Sequence, residues 1–303
     1  MSASHNSYLE ANARERLRLL FDTGSFEEFL PPAERVVSPH LGQLNAPVAF
    51  DDGVAVGRAK LDGTVVYTAA QEGGFMGGAV GEVHGAKLVG MLRRAVRDKV
   101  AAVVLLLETG GVRLHEANAG LIAVSEVMRA VLDARAAGIP VIALVGGSNG
   151  AFGGMGIVAR CANAVIMSEE GRLAMSGPEV IETANGVEEF DSRDRALVWR
   201  STGGKHRYLL GDCQYIVTDD VSAFRQAALD ALADSSAAAI SLTLEALEQE
   251  QDMLARRIAR FGAMRDPLDI WQALGMPEPE RVPMLDIDSF IAAAGACRAG
   301  GQP

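Results

Sequence analysis

The sequence predicts an α/β fold built around a mostly parallel sheet. Continuous apolar runs of strand length alternate with segments of helical periodicity. Two of those runs end in glycine-rich turns that lead into helices, and Asp62-Gly63 joins two strand-like stretches, a strong hairpin signal.

In order along the chain, residues 8–30 read as a helix, a turn at Asp22-Thr23-Gly24, and a short helix begun by Ser25. Glu27 and Glu28 suit that second helix's first turn, and Pro31-Pro32 ends it. Strands are expected over 52–61 and 64–70. Residues 82–99 carry Leu88, Met91, Leu92, Ala95 and Val96 at helical spacing. Residues 102–107 are uninterruptedly apolar, the pattern of a strand covered on both faces. After Thr109-Gly110-Gly111 comes a helix with Leu121, Val124, Met128 and Val131 along one expected core face. Residues 140–145 repeat the buried-strand pattern and lead through Gly146-Gly147-Ser148-Asn149-Gly150 into a helix of small residues. Short strands are expected at 164–167 and 172–174, and after 215–217 the chain reads as helical, at 222–233, 237–260 and 288–297. The chain therefore divides into an α/β domain over 1–221 and a helical extension over 222–303, packed on the same domain or on a partner subunit. Without a fixed period it is not a solenoid.

A formal net charge of -11 argues against nucleic acid, whose phosphates need a surplus of Lys and Arg. No stretch reaches the roughly 20 apolar residues of a membrane span, and the first residues lack a signal peptide's apolar core. A cytoplasmic location, away from membranes, is the expectation. Cys161, Cys213 and Cys297 lie far apart and form no CxxC pair, so reduced thiols are expected and no metal site is readable.

The chemistry is expected at the two glycine-rich turns, because ligands of α/β sheets gather beyond the carboxyl ends of strands. Unpaired N–H groups at a helix start favour negative charge, and two turns aimed at one oxygen would form an oxyanion hole. The alternative is that these glycines only permit tight turns. Neither turn is GxGxxG or GxxxxGK[ST], so nucleotide phosphate is not signalled.

Four ordered motifs over residues 45–220 carry a resemblance. Thr109-Gly110-Gly111-Val112-Arg113-Leu114-His115-Glu116 resembles the SGGARMQE motif of acetyl-CoA carboxylase carboxyltransferase beta subunits, and Phe75-Met76-Gly77-Gly78-Ala79-Val80-Gly81 resembles their FMGGSMG. Ser148-Asn149-Gly150-Ala151-Phe152 falls where they carry TTGGV, with a small insertion near Gly153-Gly154, and Gly177-Pro178-Glu179-Val180-Ile181-Glu182 resembles GPRVIE. Their four-cysteine zinc ribbon is missing. The N-terminal helix, the segment Gly110–Gly120 and the helical tail are similar instead to the beta subunits of biotin-independent malonate decarboxylases.

That resemblance implies a crotonase-like carboxyltransferase fold with repeated ββα units. It implies a lyase reaction, in which a malonyl thioester on an acyl carrier protein loses CO₂ through an enolate. The implied partners are a homologous gamma subunit, the carrier protein and an alpha transferase subunit, with a phosphopantetheine-type (dephospho-CoA-like) arm and neither biotin nor metal. The oxyanion donors are expected from Gly111 or Val112 and from Gly150 or Ala151. His115 is the candidate proton donor, or else a polar residue at a helix start without a role. Gly110, Arg113, Phe75, Gly77 and Gly78 are expected along the substrate, with Arg113 either attracting the malonyl carboxylate or pairing with a nearby acid. Ser176 and Glu179 have capping-box spacing, and Trp199–Arg207 reads as a basic loop. The competing functions are the carboxyltransferase half of a biotin-dependent acyl-CoA carboxylase, an enoyl-CoA hydratase lacking its pair of acids, and a non-catalytic carrier-binding scaffold.

Overall fold

A sheet of seven strands orders the computed structural model, which describes residues 6–43, 53–234 and 243–298. The strands lie in chain order: β1 (Glu27–Glu28), β2 (Val54–Leu61), β3 (Thr64–Gln71), β4 (Val103–Leu107), β5 (Val141–Val145), β6 (Ala164–Ser168) and β7 (Tyr215–Val217). The first two pairings are antiparallel and the other four parallel. Asp62 and Gly63 close the β2–β3 hairpin with φ of 50° and 75°, the mirror-image turn that matches strand twist.

Each parallel step is bridged by helix: α3 (Glu82–Asp98), α4 (Asn118–Ala136) and α5 (Gly154–Cys161) return the chain to β4, β5 and β6. These helices share one core with Val103, Leu105, Leu107, Val141, Ala143 and Val145. The alternate residues, Val104, Leu106, Ile142 and Leu144, face a second core under α1 (Ala13–Leu20) and α9 (Val221–Ala233). The period-two alternation thus divides each strand between two cores, which is why β4 and β5 read as unbroken apolar runs. A third cluster, including Trp271, Val282 and Phe290, joins α11 (Pro267–Leu274) and α12 (Ile287–Ala294) to Leu209 and Ile216.

Several expectations are corrected. Glu27-Glu28 is an edge strand paired with Gly57 and Arg58, not a helix, because tertiary pairing overrides a local capping signal. Residues 172–174 form only isolated bridges. Trp199–Arg207 is not a loop: α7 (Arg195–Thr202) and α8 (Gly204–Leu209) meet at Gly203, and Lys205 and His206 are buried. Helix α6 (Pro178–Asn185) is capped by Gly177, so the Ser176–Glu179 capping box does not form. The buried face of α4 runs through Ala123, Val124, Val127, Val131 and Ala134, leaving Leu121 56% exposed. The last long helix, α10, is described from Leu244 to Phe261, and residues 237–242 of its expected span lie outside the described residues.

Candidate functional site

Beyond the carboxyl ends of β4 and β5 the two glycine-rich turns are laid edge to edge. The Thr109 N–H donates to the Gly150 carbonyl (2.7 Å), and the Phe152 N–H donates back to the Thr109 carbonyl (3.0 Å). A third segment continues this order, with Ala151 N–H donating to the Arg172 carbonyl (2.8 Å) and Ala174 N–H to the Ala151 carbonyl (3.2 Å). From the other side the Phe75–Gly78 segment seats on the first turn. Gly110 N–H donates to the Gly77 carbonyl (2.9 Å), and a Cβ on Gly78 would overlap the Glu108 carbonyl oxygen. Three of the four sequence motifs, those at 75–81, 109–116 and 148–152, therefore meet at one place, held by backbone.

Which N–H groups remain open follows from the hydrogen bonds. Gly111 N–H donates to Thr109 Oγ1 (3.0 Å), Gly150 N–H to the Gly147 carbonyl (3.0 Å), and Ala151 N–H to Arg172 as above. Three of the four expected oxyanion donors are thus engaged, two inside their own turns and Ala151 with the Arg172 segment. Among the described residues the Val112 N–H has no acceptor, and neither does that of Gly154, the first residue of α5. These open groups lie on touching segments. Gly153, the N-cap of α5 at φ 64°, would carry a Cβ 3.2 Å from the Gly111 Cα. Only glycine at 153 lets the helix start come so close to the first turn. Gly153-Gly154, expected as a small insertion relative to the TTGGV motif, opens α5 instead, and a Gly-Gly pair before a helix of small residues is the signal for it.

A buried polar network fixes the two turns from below. The Glu108 carboxylate pairs with Arg16, accepts from Ser148 Oγ (3.0 Å), and accepts from the Asn149 N–H (3.3 Å). Its own N–H donates to Gln71 Oε1 (3.0 Å), whose amide nitrogen contacts His84 Nε2 (3.0 Å). Arg16 is further held by the Tyr8 carbonyl (2.8 Å) and lies over the Tyr8 ring. One carboxylate so ties the turn after β4 to the turn after β5, a role not visible in the sequence because Arg16 and Glu108 are far apart along the chain.

Arg113 is buried and paired with Glu116 (3.2 Å), donates to the Ala79 carbonyl (2.9 Å), and lies over the Phe75 ring. Of its two expected roles, the geometry shows the acid pairing. Glu116 also accepts the Glu82 N–H (2.6 Å), so it caps α3 rather than α4. His115 sits in a turn before α4, and its Nε2 is buried with no hydrogen-bond partner among the described residues. His84 is fully buried against Gln71 and belongs to the fold.

This arrangement can be set beside known proteins. The carboxyl transferase domain family matches residues 9–233. Over 95% of both chains the sequence is 39% identical to the malonyl-S-ACP:biotin-protein carboxyltransferase MADC of Malonomonas rubra. It is 31% identical, over 60% of this chain and 62% of that protein, to the acetyl-coenzyme A carboxylase carboxyl transferase subunit beta of Fusobacterium nucleatum subsp. nucleatum. A chain of the Pseudomonas malonate decarboxylase hetero-tetramer, crystallised with malonate, superposes with a TM-score of 0.73 and 44% identity, over 76% of this chain and 84% of that one. The expected crotonase-like architecture holds. With motif order, turn geometry and near full-length similarity in agreement, the chain belongs to the carboxyl transferase domain family.

Proposed function

We propose that the chain is the malonyl-thioester subunit of a decarboxylase, a carbon–carbon lyase converting a malonyl group on an acyl carrier protein into an acetyl group. The observation that supports this most is the contact between Gly111 and Gly153, which brings the open N–H groups of Val112 and Gly154 onto neighbouring backbone. When the carboxylate leaves, its C–C electron pair moves toward the thioester carbonyl, and negative charge develops on that oxygen. Preorganised donors matter most where such charge grows. In this reading Val112 and Gly154 replace the pairing with Gly150 or Ala151. Gly110, Gly77 and Gly78 keep the wall small enough for close approach, with Phe75 and the paired Arg113 behind it. His115 supplies the proton that the α-carbon takes up, its buried Nε2 being uncommitted.

Malonate in the Pseudomonas crystal and malonyl-S-ACP in the name of the Malonomonas rubra protein support the substrate class. A carrier protein bearing a phosphopantetheine-type arm would deliver it. The homologous gamma subunit would cover the apolar face made by Leu114, Leu121 and Ile122, which are 83%, 56% and 61% exposed, and an alpha transferase subunit would reload the carrier. A second reading keeps the enolate chemistry and passes the CO₂ to a biotinyl protein, as the name of the Malonomonas rubra relative describes. A requirement for a biotinyl acceptor separates the two.

The test removes a donor without removing the fold. Proline is tolerated at the first position of a helix and has no N–H. A Cβ at Gly154 would strike Val124, so Gly154→Pro is made in a Val124→Ala background, with Val124→Ala alone as the control. Loss of one oxyanion donor is expected to lower kcat for CO₂ release by roughly 100- to 1,000-fold with a smaller change in KM. A folded double variant as active as its control refutes the assignment.

A further inference from the structure

Next to the second turn, Arg172, Arg193 and Arg195 line one cavity of about 470 Å³ with Glu179, Ser192 and Trp199 among its walls. In a chain of net charge -11 this is an unusual concentration of cations. Most buried or half-buried arginines here are committed to acids: Arg16 to Glu108, Arg113 to Glu116, Arg200 to Asp266, Arg257 to Asp212. Among the described residues, by contrast, Arg172, Arg193 and Arg195 form no ion pair. Three guanidiniums and one carboxylate leave the lining with two unbalanced positive charges.

Arg172 is held for the task. Its Nη2 donates to the Ser148 carbonyl, and its guanidinium lies over the rings of Phe152 (5.6 Å) and Trp199 (5.2 Å). Its own carbonyl accepts the Ala151 N–H, so the cavity is attached directly to the second glycine-rich turn. Burial of the Arg172 guanidinium is costly, the Glu179 carboxylate across the same cavity offsets it only in part, and an anion that enters would offset more. The planar fork of arginine matches phosphate oxygens two at a time.

We propose that this cavity binds a phosphate-bearing anion, a phosphomonoester or pyrophosphate group, at the edge of the reaction site. The ligand is either a separate phosphorylated molecule or the phosphates of the arm that carries the thioester; the second source rests on the function proposed above.

Calorimetric titration of the purified full chain with pyrophosphate tests the site without turnover. Saturable binding of one pyrophosphate per chain is expected, weakened at least about tenfold in the Arg193→Gln/Arg195→Gln double variant. Both side chains are exposed, so the double variant should melt at the wild-type temperature. Arg172→Gln is expected to weaken binding similarly. Coenzyme A displacing pyrophosphate where pantetheine does not assigns the site to the arm's phosphates. Failure of coenzyme A to compete assigns it to a separate phosphorylated ligand. No saturable binding to the wild type, or undiminished binding by the double variant, overturns the proposal and leaves the reaction assigned above unaffected.

Discussion

At the scale of single residues, the arrangement depends on buried polar groups whose partners are distant in sequence. Glu108 joins both glycine-rich turns and is neutralised by Arg16 from the N-terminal helix. Arg16→Met leaves that carboxylate buried and unpaired, which should cost about 3–5 kcal/mol in chemical denaturation, and Arg16→Met/Glu108→Gln should recover part of the loss. A double variant no more stable than the single one would show that the pair is not coupled. His206 offers a pH test. It accepts the Trp271 Nε1–H at Nδ1 (3.1 Å), and burial pushes its pKa down from 6.5 to about 3. The unfolded chain therefore takes up a proton below pH 6.5 that the folded chain refuses. The stability contributed by the neutral ring is whole above 6.5 and is lost toward pH 3, at up to about 1.4 kcal/mol per pH unit. Melting temperatures of His206→Asn should fall less steeply between pH 6.5 and 4 than those of the wild type. Parallel slopes would exclude His206 as the titrating group.

At the scale of elements, periodicity and turn chemistry were legible where local preference and tertiary structure agree. Asp62-Gly63 announces its hairpin because few other residues accept two successive left-handed conformations. At Gly63 a Cβ meets no atom, so Gly63→Ala should cost only the backbone term, about 1–2 kcal/mol, with an unchanged fold. A cost near zero in equilibrium unfolding would contradict the mirror-image turn. Agreement fails elsewhere for identifiable reasons. Glu27-Glu28 becomes strand only because β2 is there to pair with, and Gly203-Gly204 looks like a loop because two helices abut at it. The motif segments Phe75–Gly78, Thr109–Glu116 and Ser148–Phe152 were legible as pieces of a site. Which N–H groups stay open was not, since that depends on which ones the neighbouring carbonyls and the Thr109 hydroxyl already take.

At the scale of the molecule, strands laid in chain order put successive βα turns on one edge of the sheet. Each added strand brings its loop against the one before, which is how Gly77, Gly110, Gly150 and Arg172 come to share hydrogen bonds. The site is therefore a product of topology as much as of motif. Beside it the face around Leu121 and Ile122 lies open on this chain. The reaction assigned above makes a sharp statement about where carbon and hydrogen go. The chain, together with the homologous gamma subunit proposed as its partner, should be given a malonyl thioester labelled in its free carboxyl carbon, in D₂O, without a biotinyl protein. The account predicts labelled CO₂ in step with an acetyl thioester carrying one deuterium at its methyl carbon. Label that leaves only when a biotinyl acceptor is added would contradict it.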